Sequence, residues 1–239
     1  MRNIALIIAG GVGSRMHQDI PKQFISIFDK PVIVYTLEAF EKNPNIDEIA
    51  VVCVDGWHDV LRAYAKQFHI TKLNIIASGG STGQESIYNG LKALKDVAKD
   101  DDIILVHDSI RPMVGQEIIT DCALKAKKYG NAVSVIPCQE AMMVSRDERT
   151  ADRSYPRSEL KRTQTPQAMK YGLFMELHKK ALEMGITSSV ATCTLIIETG
   201  GIVYYSLGSE KNIKLTTPDD LDIFKALLKV RNESDTPHL

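Results

Sequence analysis

The chain has 239 residues, 44% of them hydrophobic and 25% charged, with a formal net charge of −1. That is enough apolar material for one large domain or two small ones. The near-zero charge excludes the basic field that holds a nucleic-acid backbone or an anionic membrane, so neither is an expected partner and any phosphate must be held locally. No apolar run reaches the ~18–20 residues of a membrane span, and the first residues do not read as a secretory signal. Cys53, Cys122, Cys138 and Cys193 are scattered and make no CxxC pair, which points away from zinc and disulfides and towards buried small hydrophobes. The expected setting is cytoplasmic.

In chain order, Ile4 to Ala9, Ile49 to Val54, Leu73 to Ala77, Ile103 to His107 and Ala132 to Ile136 are short continuous apolar runs rich in β-branched residues, as strands covered on both faces should be. Between them Val32 to Glu41, Val60 to Phe68 and Glu85 to Val97 read as amphipathic helices. This alternation predicts an α/β fold with a Rossmann-like, mostly parallel sheet and helices on both faces. The rhythm breaks after Pro137, where residues 138 to 170 read as an excursion from the core. Helical patterns return at Gly172 to Glu183, and again from Thr217-Pro218 to about Val230, where Asp219 and Asp220 mark a helix start. Residues 1–230 are expected to form one domain, with Arg231 to Leu239 as a polar, frayed tail.

The first strand runs into GGVGSRM, Gly10 to Met16. A glycine turn at a strand's carboxyl end lets backbone N–H groups approach a phosphate, and equally serves any tight strand-to-helix turn. A dinucleotide fingerprint would need glycine where Met16 stands, and the P-loop's GK[ST] is absent. That disfavours an NAD-binding dehydrogenase. The cations that follow favour a polyphosphate: Arg15 is a fork for non-bridging oxygens and Lys22 a mobile point charge.

GGVGSRM followed by PKQF resembles the opening signature of the cytidylyltransferases that make CDP-methylerythritol and CDP-ribitol from CTP. GGSTGQESIYNGL (Gly79 to Leu91), HDSIRP (His107 to Pro112), RTQTPQ (Arg162 to Gln167) and NIKLTTPDDL (Asn212 to Leu221) follow in the family's order. HDSIRP and VDGWHDVL (Val54 to Leu61) look more like the ribitol-phosphate branch than the methylerythritol branch, whose motif usually reads HDAARP.

The resemblance implies in-line attack of an acceptor phosphate on the α-phosphorus of CTP, with pyrophosphate leaving and Mg²⁺ as cofactor. Arg15, Lys22 and Lys214 would hold the reacting phosphates. Ala9, Gly10, Gly11, Gly13 and Ser14 would supply the phosphate loop, and Gly80, Ser81 and Ser86 the cytosine pocket. Asp108 would meet ribose, the acceptor or a hydrated Mg²⁺. Arg111 is either an acceptor contact or a partner of Asp108, and His107 reads as a packed histidine rather than a base. Arg157 and Thr165 would grip the acceptor phosphate. Residues from about 138 to 160 would be a β-arm exchanged in a homodimer, carrying Arg157 into the partner's site.

The chain departs from the family's pattern at Gly83, where an arginine is usual, at Ala141, where the arm carries threonine, and at Val190-Ala191-Thr192-Cys193, where a threonine-aspartate pair is expected. Two of these changes fall on the acceptor side. D-Ribitol 5-phosphate is the leading acceptor and 2-C-methyl-D-erythritol 4-phosphate the alternative. A relative that binds nucleotide without turnover is the competing reading, opposed by the retained Arg15, Lys22 and Lys214.

Overall fold

A computed structural model describes residues 1–11 and 20–234. In chain order the elements are β1 (Asn3–Ala9), a 3-10 turn (Lys22–Phe24), β2 (Ser26–Ile27), β3 (Lys30–Pro31), α1 (Val32–Glu41), β4 (Glu48–Cys53), α2 (His58–Gln67), β5 (Leu73–Ser78), α3 (Gly83–Ala93), β6 (Ile103–Asp108), α4 (Gln116–Tyr129) and β7 (Asn131–Pro137). They continue with β8 (Met142–Ser145), β9 (Ala151–Tyr155), a second 3-10 turn (Arg157–Glu159), β10 (Lys161–Lys170), α5 (Tyr171–Glu183), α6 (Thr192–Glu198), β11 (Tyr205–Leu207) and α7 (Pro218–Ser234).

The central sheet has the order β11-β7-β10-β6-β1-β4-β5. β1 pairs in parallel with β4 and β6, and β10 runs antiparallel between β6 and β7. The expected mostly parallel sheet therefore carries one reversed strand. Side chains alternate across it, as the two-residue period of a strand requires. Ala5, Ile7 and Ala9 of β1 face Leu37 and Phe40 of α1 and Ile118 of α4. Ile4 and Leu6 face Leu91 of α3 and Phe174 of α5. Both faces are covered, which is why the strand sequences are apolar without alternation. α7 closes a third cluster, Phe224 and Leu228 packing with Tyr35 and Leu215.

Local signals explain the helix ends. The Thr82 hydroxyl caps α3 by accepting from the Glu85 N–H. α4 stops at Gly130, whose φ of 89° suits a residue without a Cβ. Asp220 accepts from the backbone N–H groups of Thr216 and Thr217, fastening the start of α7. That helix runs to Ser234, so the expected tail from Arg231 begins as helix, and residues 235–239 lie outside those described.

The excursion after Pro137 divides in two. Residues 142–155 form an antiparallel hairpin, β8 with β9, whose residues are exposed apart from the half-buried Val144. Asp147 ties its tip by accepting from the Arg149 and Thr150 N–H groups, and these bonds lower its pKa to about 2. β10 then returns to the core.

β1 connects outward to β4 and β5, and the chain then crosses back to place β6 on the other side of β1. The carboxyl ends of β1 and β6 thus flank a topological switch point, where open α/β sheets bind ligands.

Candidate active site

The glycine turn at the end of β1 is built for close approach. A Cβ on Gly79 would lie 3.3 Å from the Gly10 Cα, so the backbones leaving β1 and β5 nearly touch. Gln23, 1% exposed, holds the turn from below, its Nε2 donating to the carbonyls of Ala9 (2.7 Å) and Gly11 (3.1 Å). The glutamine of PKQF is therefore a structural clamp, a role sequence reasoning missed, and it leaves Lys22, half-buried in the same 3-10 turn, beside the loop. Gly13, Ser14 and Arg15 lie outside the described residues.

Across from this turn, the Gly80 N–H donates to Ser86 Oγ (3.0 Å), and Ser81 donates through both N–H (2.7 Å) and Oγ (2.6 Å) to Glu85 Oε2. These bonds from Ser81 hold the Glu85 carboxyl below its ordinary pKa. The segment Gly79 to Ser86 leads from β5 into the first turn of α3 and is tied by its own side-chain hydrogen bonds.

Asp108 ends β6 and meets two cations through one oxygen: Arg111 Nε at 3.1 Å and Lys214 Nζ at 3.1 Å from Oδ2. Burial alone would raise its carboxyl, but Lys214 and Arg111 outweigh burial and hold it below its ordinary value. Arg111 also donates to the Asn212 carbonyl (2.8 Å), joining the HDSIRP and NIKL motifs. Arg111 is thus a partner of Asp108 through Nε and also lines the adjoining cavity.

His107 is fully buried, packs 5.0 Å from the Phe40 ring, and burial lowers its pKa to about 4, so it is neutral near pH 7. Its Nε2 faces the Arg111 carbonyl (3.2 Å), which can only accept, so the proton sits on Nε2. Nδ1 must then accept from the Thr165 hydroxyl (3.0 Å), which itself accepts from the Asp108 N–H (3.1 Å). The expected packed histidine is thus the anchor of a directed chain. Thr165 is left with a lone pair and no spare proton.

Asp108, Arg111, Thr165 and Lys214 line a cavity of about 280 Å³ together with Ile8, Val106, Gln84, His178 and residues Ser189 to Thr192. The structure brings these predicted residues together. Arg157 is not among the lining residues; it sits exposed in the 3-10 turn after the hairpin, donating to the Gln139 carbonyl (3.2 Å). His178, not anticipated, is 2% exposed and stacks on Tyr88 at 5.1 Å, and burial lowers its pKa to about 4. Gly83 also lines the cavity, and a Cβ there would meet nothing within 4 Å. Ala141 lies between Pro137 and the hairpin, exposed.

Among the described residues no group of three or more His, Cys, Asp and Glu side chains could hold a metal. The single carboxylate at the switch point, Asp108, could give a divalent cation one protein ligand and does not make an all-protein site. Nor, among the described residues, is any helix long and apolar enough to cross a membrane.

A glycine turn, Lys22, Lys214 and an acid at the switch point make this an α/β fold with a site suited to an anionic ligand at the carboxyl ends of its strands. Residues 3–230 match the family described as IspD: 2-C-methyl-D-erythritol 4-phosphate cytidylyltransferase. The chain is 42% identical to a ribitol-5-phosphate cytidylyltransferase of Lacticaseibacillus paracasei, over 94% of this chain and 97% of that one. It is 37% identical to a 2-C-methyl-D-erythritol 4-phosphate cytidylyltransferase of Clostridium novyi, over 95% and 97%. A crystal structure of 4-diphosphocytidyl-2C-methyl-D-erythritol synthase superposes with a TM-score of 0.78 at 26% identity, covering 95% of this chain and 98% of that one. The chain belongs to the IspD family of cytidylyltransferases, enzymes that use CTP.

Proposed function

We propose that this enzyme transfers CMP from CTP to D-ribitol 5-phosphate, giving CDP-ribitol and pyrophosphate. The observation that carries the reading is the Asp108, Arg111 and Lys214 cluster at the wall of an otherwise uncharged, partly apolar cavity. Such a cavity suits a molecule with an anionic end and an uncharged hydroxylated chain. Relatives named for ribitol 5-phosphate reach 42% identity, against 37% for those named for methylerythritol phosphate, which remains the alternative acceptor.

An acceptor phosphate oxygen attacks the α-phosphorus, and the bond to the bridging oxygen of the leaving pyrophosphate breaks. The acceptor is already an anion near neutral pH, so no strong base is required, and the protein's task is positioning and charge neutralisation. Lys22 and Arg15 hold the triphosphate, with backbone donors from Gly10, Gly11, Gly13 and Ser14 after Ala9. Lys214 swings from Asp108 to the α-phosphate as charge grows there. Gly80, Ser81 and Ser86 bound the cytosine. Mg²⁺ bound with CTP would supply charge neutralisation at the phosphate oxygens, and Asp108 is the residue that would hold it.

Arg111 and Asp108 face the acceptor. Thr165, with its proton held by His107, offers a lone pair to an acceptor hydroxyl, and can donate to the phosphate only by releasing that histidine. Arg157 completes the phosphate grip from a partner subunit, through an arm of residues about 138–160 exchanged in a homodimer. Its exposure, and its position outside the cavity of its own chain, support this reading. Residues 1–230 act as one domain, in keeping with the family match over 3–230, and the enzyme works in the cytoplasm. The test is pyrophosphate release from Mg-CTP across ribitol 5-phosphate, methylerythritol 4-phosphate, glycerol 3-phosphate and other pentitol and tetritol phosphates. Fast release with ribitol 5-phosphate supports the reading, and CTP binding without release from any acceptor refutes it.

A further inference from the structure

Two buried glutamines commit their side chains to the same stretch of chain. Gln84, in the first turn of α3 and 6% exposed, donates from Nε2 to the Ile186 carbonyl (2.7 Å) and accepts at Oε1 from the Ser189 N–H (2.8 Å). Gln167, in β10 and 3% exposed, accepts at Oε1 from the Cys193 N–H (2.9 Å) while its Nε2 donates to the Gln164 carbonyl (3.1 Å). The Thr82 hydroxyl adds a bond to the Thr187 carbonyl (3.2 Å). Residues 186–193, which run from beyond α5 into the first turn of α6, are thus fastened by side chains of α3 and its cap on one side and of β10 on the other.

A buried amide costs free energy unless both its ends are bonded, and here those bonds fix a segment that makes one wall of the cavity. Ser189, Val190, Ala191 and Thr192 line it and carry no ionisable side chain. Discrimination by such a wall rests on shape and hydroxyl placement, which a displacement of about 1 Å can degrade severely.

We propose that Gln84 and Gln167, whose amides are spent on protein partners although both residues line the cavity, hold 186–193 as the acceptor-facing wall and thereby set acceptor selectivity through the position of that wall. Gln84 follows directly on the turn that bounds the nucleotide side, so it also fixes the spacing between the two halves of the cavity. The proposal rests on the reading that this cavity takes the polyol phosphate.

The test uses the full chain with Gln84→Met, which keeps length and removes both bonds, and Gln84→Glu, which keeps the acceptor for Ser189 and loses the donor to Ile186. Amide hydrogen exchange at Ser189, read without any ligand, is expected to accelerate about ten-fold in Gln84→Met. With ribitol 5-phosphate the acceptor KM should rise about ten-fold while kcat and the CTP KM stay within about two-fold, a split that general destabilisation would not give. Gln84→Glu should show a smaller rise in the acceptor KM alone, and it decides the matter if the methionine variant is unstable. An unchanged acceptor KM, or a rise shared equally with CTP, overturns the proposal. If the wild-type protein turns over no acceptor, the functional reading fails on its own. Exchange then judges the clamp, a faster Ser189 amide supporting it and an unchanged one overturning it.

Discussion

Lys214→Ala separates a structural from a catalytic lysine, because the two roles predict losses of different size in different assays. Lys214 makes an ion pair with Asp108 at 3.1 Å, and its side chain is 43% exposed. Such a partly solvated pair contributes about 0–1 kcal/mol. Asp108 keeps Arg111 at 3.1 Å, so removing the lysine orphans no charge. The melting temperature should therefore fall by no more than about 2–4 °C for a chain of this size. If Lys214 moves to the α-phosphate as the transition state forms, its loss costs about 3–4 kcal/mol of barrier, or 10²–10³ in kcat. Pyrophosphate release under saturating CTP and acceptor, beside a thermal melt of the same sample, reads both. Near-normal kcat, or a loss of activity matched by loss of folded protein, would refute the reasoning.

Lys22→Ala is expected to lose a similar 10²–10³ in kcat while remaining folded, checked by the same pair of assays. Gly79→Ala would put a Cβ 3.3 Å from the Gly10 Cα; calorimetry should show CTP affinity falling about ten-fold, the effect of losing roughly one well-placed phosphate contact. His107 and His178 both titrate near 4 when folded, below the ordinary 6.5, because burial disfavours their charged forms. The unfolded chain therefore binds more protons than the folded one between about pH 6.5 and 4, so stability is fully present above that window and falls as pH drops through it. Denaturant melts across the window should show this, and His178→Phe, which preserves the stack on Tyr88, should reduce the slope by about one proton. If Arg157 serves the partner's site, mixing inactive Arg157→Ala and Lys214→Ala proteins under exchange conditions should restore about a quarter of wild-type activity, since half the dimers are hybrids with one intact site each. No restoration, or a monomer of full activity by light scattering, removes the exchanged arm.

Core strands were legible because double-sided burial leaves an apolar signature; β1, β4 and β6 fall within a residue or two of their sequence-read limits. β10 was not, since KRTQTPQAMK is polar and carries a proline. Its buried half is sustained by Gln164 and Gln167, whose partners lie at Ser209 and Cys193, far along the chain. α4 went unread within a long interval, although its burial follows a helical period, and α6 spans only seven residues. The Asp108 and Arg111 pair was one of two readings open within a single motif, whereas the pairing of Asp108 with Lys214 had no sequence signal, the resemblance placing Lys214 only at the reacting phosphates. Gln23, Gln84 and His178 gave no local signal at all. What a glutamine holds is decided by tertiary partners, and Gln84's lie 102 and 105 residues away.

The central claim is tested most directly by kcat/KM for ribitol 5-phosphate against methylerythritol 4-phosphate, with Mg-CTP saturating and the nucleotide product identified by mass. The account predicts CDP-ribitol as product and a preference for ribitol 5-phosphate of at least about 10²-fold, the scale set by one or two hydroxyl contacts. A preference for methylerythritol 4-phosphate would contradict it.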